Sequence, residues 1–190
     1  MKEIRIFMKL LTYIIILNFL SPLNLLKAET REIQLNKLFN KLKIDSIELT
    51  YETEKKIWKI WSTHPSNQKL TSKLDKGSSL VKNNELTKAI KIFTEVINQD
   101  PKWAEAWNKR ATVLYMIGDY KASQNDIDRV LQLEERHFGA LAGQGLVNIK
   151  LKNYEKAIKS YERAKEIYPA MKSPDIMIKQ IEELIKQQLI

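Results

Sequence analysis

The 190-residue chain has no cysteine, which excludes disulfides and thiolate metal sites. Its two histidines, His64 and His137, stand too far apart for the ligand spacing of a zinc site, and ordinary packing or surface use is expected of them. Five glycines and five prolines are few for a β-rich protein, while Leu, Ile, Lys and Glu dominate, so helices are expected throughout. Arginine is scarce: six of the 32 basic residues are Arg, and the lysines are spread among glutamates. That distribution makes solvated helix faces rather than a phosphate-binding stripe, and no nucleic-acid partner is expected despite a net charge of +9. Missing too are a nucleophile–base motif, a phosphate-cradling loop, and a pair of acids set apart by an apolar pocket. The glycines of "FGALAGQGL" (Gly139, Gly143 and Gly145) follow no strand and read as small packing residues in a helix. The chain is therefore not expected to be an enzyme or to need a metal or cofactor.

The N-terminus differs from the rest. Lys2, Arg5 and Lys9 precede an apolar run from Leu10 to Leu20, and Ala28 closes "NLLKA". This is the basic and apolar layout of a secretory signal over residues 1–28, with cleavage after Ala28 and a periplasmic mature chain from Glu29. Leu26 is larger than usual for its place, so an uncleaved membrane anchor is the alternative, although the run is short for a spanning helix. Either way the positive flank stays inside and Glu29 onward crosses the membrane. Residues 1–28 hold four of the 32 basic residues and one of the 23 acids, which leaves the remainder at +6.

What the chain does have is a period. "YEKAIKSYERAKEIYP", Tyr154–Pro169, carries its apolar residues three and four apart, one stripe of a helix, and stops at a proline. Sixty-eight residues earlier stands "LTKAIKIFTEVINQDP", Leu86–Pro101, with Ala89 over Ala157, Phe93 over Tyr161 and Val96 over Ala164. Midway lies Tyr120–Glu135, where Ser123, Ile127 and Val130 fill the small, large and small places. Gly77, Ala111 and Gly145 are likewise 34 apart. A fixed period of 34 with two helices per unit predicts an all-α solenoid of stacked helix pairs.

These residues resemble the tetratricopeptide repeats, and the resemblance implies that the solenoid is right-handed. On that pattern, units run 70–103, 104–137 and 138–171, together 70–171, with Trp107, Ala111 and Gly118-Asp119-Tyr120 as the second unit's landmarks. The resemblance implies that the aromatic at position 24 of each unit lies over the small residue at position 8. Departures are Lys73 and Leu141 for tryptophan, Glu135 for proline, and Arg110 where leucine usually packs. Two readings stand for Arg110: a pair with an acid of its partner helix, Asp126 in particular, or a contact to a ligand carboxylate.

The resemblance further implies a concave groove built by the first helix of each pair. Its lining would be Leu74 and Ser78, then Asn108, Lys109, Thr112, Tyr115 and Met116, then Ala142, Leu146 and Ile149. Such a surface suits an extended or helical peptide of a protein partner. The carboxylate clamp of chaperone-binding relatives needs Lys and Asn where this chain has Leu74 and Ser78, so cytosolic chaperone tails are not implied. Residues 29–69 predict two further helices, 30–43 and 46–62, outside the 34-residue phase. The second carries Trp58 and Trp61 on one face, for packing on the first repeat or for weak association with a membrane surface. Residues 172–190 predict a capping helix from Pro174. The layout is similar to small exported tetratricopeptide proteins of Gram-negative bacteria. Two functions follow: a protein-interaction module or scaffold of the cell envelope, or a structural subunit or homo-oligomer of an envelope assembly that uses Trp58, Trp61 and the last helix.

Overall fold

The computed structural model describes residues 30–44 and 47–188, so the signal-like residues 1–28 lie outside the described part. The chain divides into two compact units, residues 1–37 and 38–190. Helix α1 covers 30–42, and α2 covers Ile47–Ser62. Three antiparallel pairs follow: α3 (Gln68–Lys82) with α4 (Leu86–Gln99), α5 (Ala104–Met116) with α6 (Tyr120–Leu133), and α7 (Phe138–Lys150) with α8 (Tyr154–Ile167). Helix α9, Lys172–Gln188, closes the array and begins two residues before the expected Pro174. Among the described residues all regular structure is helical.

The 34-residue period reaches the backbone. The turns inside the three pairs place Asn84, Gly118 and Lys152 in the left-handed region, with φ of 59°, 85° and 60°. Each turn is closed alike. Glu85 N–H donates to Leu80 O at 2.8 Å, Asp119 N–H to Leu114 O at 2.9 Å, and Asn153 N–H to Asn148 O at 2.8 Å. This wrap satisfies the carbonyls left open at a helix end, and it needs a left-handed residue, which glycine or asparagine supplies at least cost.

Packing inside each pair follows the small-and-large rule. The rings of Phe93 and Tyr161 lie on the bare Cα atoms of Gly77 and Gly145, and both rings are buried. In the middle pair Ala111 and Ser123 cross instead, and the Ser123 hydroxyl donates to Ala111 O at 2.8 Å. Arg110, in a place usually apolar, is held by Asp126: Nε and Nη2 donate to its two carboxylate oxygens at 2.7 and 2.8 Å. Its Nη1 donates to Thr94 Oγ1 on α4 at 3.0 Å, so one guanidinium joins two neighbouring pairs. A planar fork meeting a carboxylate in this way satisfies both charges without a ligand. Under α9, Ile181 is buried against Ala157 and Tyr161, which covers the apolar side of the last pair.

Helix α2 meets the first repeat at its last residue, Trp103, and reaches on to the third. Its tryptophans pack at the start of α7: Trp61 stacks on His137 at 4.0 Å between ring centres, and Trp58 meets Phe138 edge-on at 5.4 Å. Trp103 Nε1 donates to Trp61 O at 2.8 Å, and Tyr168 OH donates to Glu54 Oε2 at 3.1 Å. The helix thus spans the leading ends of α5 and α7. The cause is size: two indoles bury far more apolar surface in this aromatic cluster than a small-residue helix face would accept.

Candidate functional site

The inner face of the array is built from α3, α5 and α7, and α2 closes one end of it. Thr71, Glu105 and Gly139 are 34 apart and occupy the second position of their units. Thr71 accepts from the backbone N–H of His64 at 2.9 Å. A Cβ on Gly139 would lie 2.5 Å from Trp58, so the indole rests directly on that glycine. Glu105 is 1% exposed.

Glu105 anchors a largely buried polar network. Its Oε2 accepts from Asn108 Nδ2 at 3.0 Å and faces His137 Nε2 at 3.1 Å. Because His137 Nδ1 accepts from the Ala140 N–H at 3.0 Å, the ring proton sits on Nε2 and is donated to the carboxylate. Lys109 Nζ stands 3.1 Å from Oε1. Burial alone would push this carboxyl up. The His137 hydrogen bond and the Lys109 charge outweigh it and hold Glu105 below the usual carboxylate range. Sequence reasoning passed over Glu105 and His137 as site-forming residues, since nothing in the local pattern says that a distant helix will cover them.

The network redraws the expected groove. Asn108 is buried and bound to Glu105 rather than open to a peptide, and Lys109 has spent its charge on the same acid. Leu74 is 1% exposed and belongs to the core around Phe93, so it is not a groove residue. Ala142 and Ile149 pack toward Tyr161 and Ile181, away from the inner surface assigned to them. Ser78 is half-buried and donates to Leu74 O at 3.0 Å. Arg110 is committed to Asp126 and Thr94, which removes it as a ligand contact.

What stays open lies further along α5 and α7. Thr112, Met116 and Leu146 are exposed, and Tyr115 is half-buried beside Tyr120. Between the two helices is a cleft of about 80 Å³, mostly apolar, lined by Asn108, Ala111, Thr112, Tyr115, Gly143, Leu146 and their neighbours. Gly143 keeps it wide: a Cβ there would still be 3.7 Å from Ile127. An engineered apolar cavity of about 150 Å³ accepts benzene, so this one fits a smaller aliphatic group. The structure therefore brings together Thr112, Tyr115, Met116 and Leu146 of the expected set. Among the described residues no helix is long and apolar enough to cross a membrane.

Comparison with known proteins agrees with the geometry. The family described as Tetratricopeptide repeat matches residues 74–123 and 109–172. A TPR repeat-containing protein of Rhizobium etli is 37% identical over 95 residues, which cover 50% of this chain and 47% of that protein. The chain therefore spans about half the length of this relative. Two solved structures share the fold. The first TPR of Spaghetti (RPAP3), bound to the HSP90 peptide SRMEEVD, aligns with a TM-score of 0.61 at 22% identity, over 63% of this chain and 94% of that one. MamA aligns with a TM-score of 0.58 at 23% identity, over 72% of this chain and 77% of its own. With the period carried by sequence, turns and packing alike, the chain belongs to the tetratricopeptide-repeat family.

Proposed function

We propose that the protein binds an extended peptide segment of a partner protein in the open part of its inner face, between α5 and α7. The observation that carries this is the small apolar cleft beside exposed Thr112, Met116 and Leu146. Apolar side chains left at the surface around a concavity favour a partner that covers them. The cleft takes one small aliphatic side chain, such as valine or alanine, and the Thr112 hydroxyl and Tyr115 phenol are at hand for a passing backbone.

The chemistry of the segment differs from that of the acidic peptide held by the Spaghetti domain. Lys109, the cation expected on the inner face, is already neutralised by Glu105, and Leu74 is inside the core. An apolar anchor, not a carboxylate, is the feature this surface rewards. The rival role of structural subunit or homo-oligomer loses two of its proposed contacts, since Trp58 and Trp61 are engaged within the chain, and keeps the last helix, where Ile176 and Leu184 are exposed.

The place of action that we propose is the cell envelope, after export directed by residues 1–28. Support comes from the basic and apolar order of that segment and from Ala28.

Peptide selection tests the binding role. A random library panned on the wild-type protein should return sequences with a recurrent small aliphatic residue. Met116→Glu with Leu146→Glu should weaken their binding at least tenfold while helicity is kept, because both positions are exposed. Acidic selected peptides, bound equally by the double variant, would refute the assignment.

A further inference from the structure

A second surface shares no lining residue with the α5/α7 cleft. It is a polar cleft of about 480 Å³ bounded by α6, the end of α7 and α8. Three cations, Lys156, Lys159 and Arg163, stand along one stripe of α8. All three are exposed, and none has an ion-pair or hydrogen-bond partner for its charged head among the described residues. Along α8 these cations are interleaved with Glu155, Glu162 and Glu166, but it is the three cations that line this cleft.

The opposite wall is made of amides. Asn148 Nδ2 donates to Gln144 O at 2.9 Å and to Gln124 Oε1 at 3.3 Å. The side-chain amides of Gln124 and Gln144 both donate to Asp128 Oδ1, at 2.7 and 3.2 Å. Asp128, the acid of this cleft, is held by these neutral amides and makes no ion pair with the three cations. Asn148 is only 5% exposed, so the amide wall is fixed by packing, and Ser160 of α8, 4% exposed, donates to Gln144 Oε1 across the cleft at 3.0 Å.

Lys152 adds an independent sign. An adjoining cleft of about 390 Å³, which Glu155 also lines, shares Asn153 and Lys156 with the first and extends it to Lys152. Lys152 holds a left-handed backbone, φ 60°, at the place where the earlier turns use Asn84 and Gly118. A lysine is the poorest of the three residue types for that conformation. Its side chain is exposed beside the cleft.

We infer that this outer cleft docks an acidic peptide segment of a protein partner. From Lys156 to Arg163 the stripe runs for roughly 10 Å at the helix rise of about 1.5 Å per residue. A single phosphate or carboxylate cannot reach both ends, whereas about three residues of extended chain can. Amides facing the cations suit a peptide backbone, which offers a donor and an acceptor at each residue. A nucleic-acid strand would instead call for a row of aromatic faces on which bases stack.

The test uses the full chain and a fluorescein-labelled hexaglutamate peptide, followed by anisotropy at low and moderate salt. Binding should weaken with salt, and Lys159→Glu with Arg163→Glu should reduce affinity at least tenfold. Lys69→Glu with Lys91→Glu, the same change of charge on α3 and α4, should have less than a twofold effect. Lys152→Gly should raise the melting temperature, by relieving the turn, yet weaken the peptide severalfold. Absence of hexaglutamate binding would overturn the inference. So would equal losses from the two charge-reversed pairs, or undiminished binding by Lys152→Gly. Tighter binding of an oligothymidylate than of hexaglutamate would reassign the cleft to a phosphate backbone and overturn it as well.

Discussion

Replacing Gly145 by leucine should lower stability by about 3 kcal/mol, and Gly77→Leu by a similar amount. The reason is geometric. A Cβ on Gly145 would sit 2.5 Å from Tyr161 Cε2, and one on Gly77 2.4 Å from Phe93 Cε1. Neither ring can give way, since Phe93 is 0% and Tyr161 1% exposed, with packed neighbours on every side. Alanine at these sites carries the same clash, offset by about 1 kcal/mol of helix propensity gained over glycine. Leucine adds three further carbons to a space that has none. Gly143 provides the contrast: its Cβ would meet Ile127 at an ordinary 3.7 Å, so Gly143→Ala should keep or slightly raise the melting temperature. Thermal melts by circular dichroism decide the matter. Wild-type melting by either leucine variant would mean that the helix pairs do not cross where the 34-residue phase puts them.

The second large effect concerns Glu105. Its removal as Glu105→Ala should cost about 3 kcal/mol at neutral pH, because the buried Asn108 amide and the His137 N–H would both lose their acceptor. Lys109 is partly exposed and can turn to water, so it adds little to the loss. Glu105→Gln should cost less, about 1 kcal/mol, because one carbonyl oxygen can take the place of Oε2 and accept from both donors. The pH dependence separates charge from packing. The Glu105 carboxyl titrates lower in the folded chain than in the unfolded one. Its stabilising effect is therefore present above the unfolded value near 4.5 and is lost as pH falls toward the lower folded value. Wild-type stability should fall through that acid window, and the gap to Glu105→Gln should narrow with it. A gap that stays constant from neutral pH to pH 3 would mean that the carboxylate is not charged in the fold.

How far these features could be read in advance follows from what kind of contact each one is. Repeated local contacts leave a periodic trace. The crossing of Gly77 with Phe93 and of Gly145 with Tyr161, and the stop at Pro101 and Pro169, all recur every 34 or 68 residues. The Arg110–Asp126 pair was readable for a related reason, since both belong to one helix pair and an arginine in an apolar place needs an acid. Helix α2 left no such trace. Its contacts join Trp58 and Trp61 to His137 and Phe138, almost eighty residues away, and no periodicity links them.

That one placement explains most of the revised site. Once α2 covers the leading ends of α5 and α7, Glu105 must be paired, Asn108 becomes its partner, and Lys109 becomes its counter-charge. Leu74 fell outside the groove for another cause. At the fifth place of its unit it packs in the cluster around Phe93, as Ala142 at the same place packs in the cluster around Tyr161. Ala142 and Ile149 were claimed by α9, whose Ile181 reaches the core of the last pair. Thr112, Tyr115, Met116 and Leu146 stayed on the accessible face because neither α2 nor α9 extends over the middle of α5 and α7.

The central claim is that a partner peptide seats between α5 and α7, and photo-crosslinking tests it most directly. A benzophenone side chain is placed in turn at positions 116, 146 and 91, and each protein is irradiated with a peptide selected on the wild type. The account predicts crosslinks from 116 and 146 and none from 91, which lies exposed on α4. Crosslinking from 91, with 116 and 146 silent in a folded protein, would contradict it.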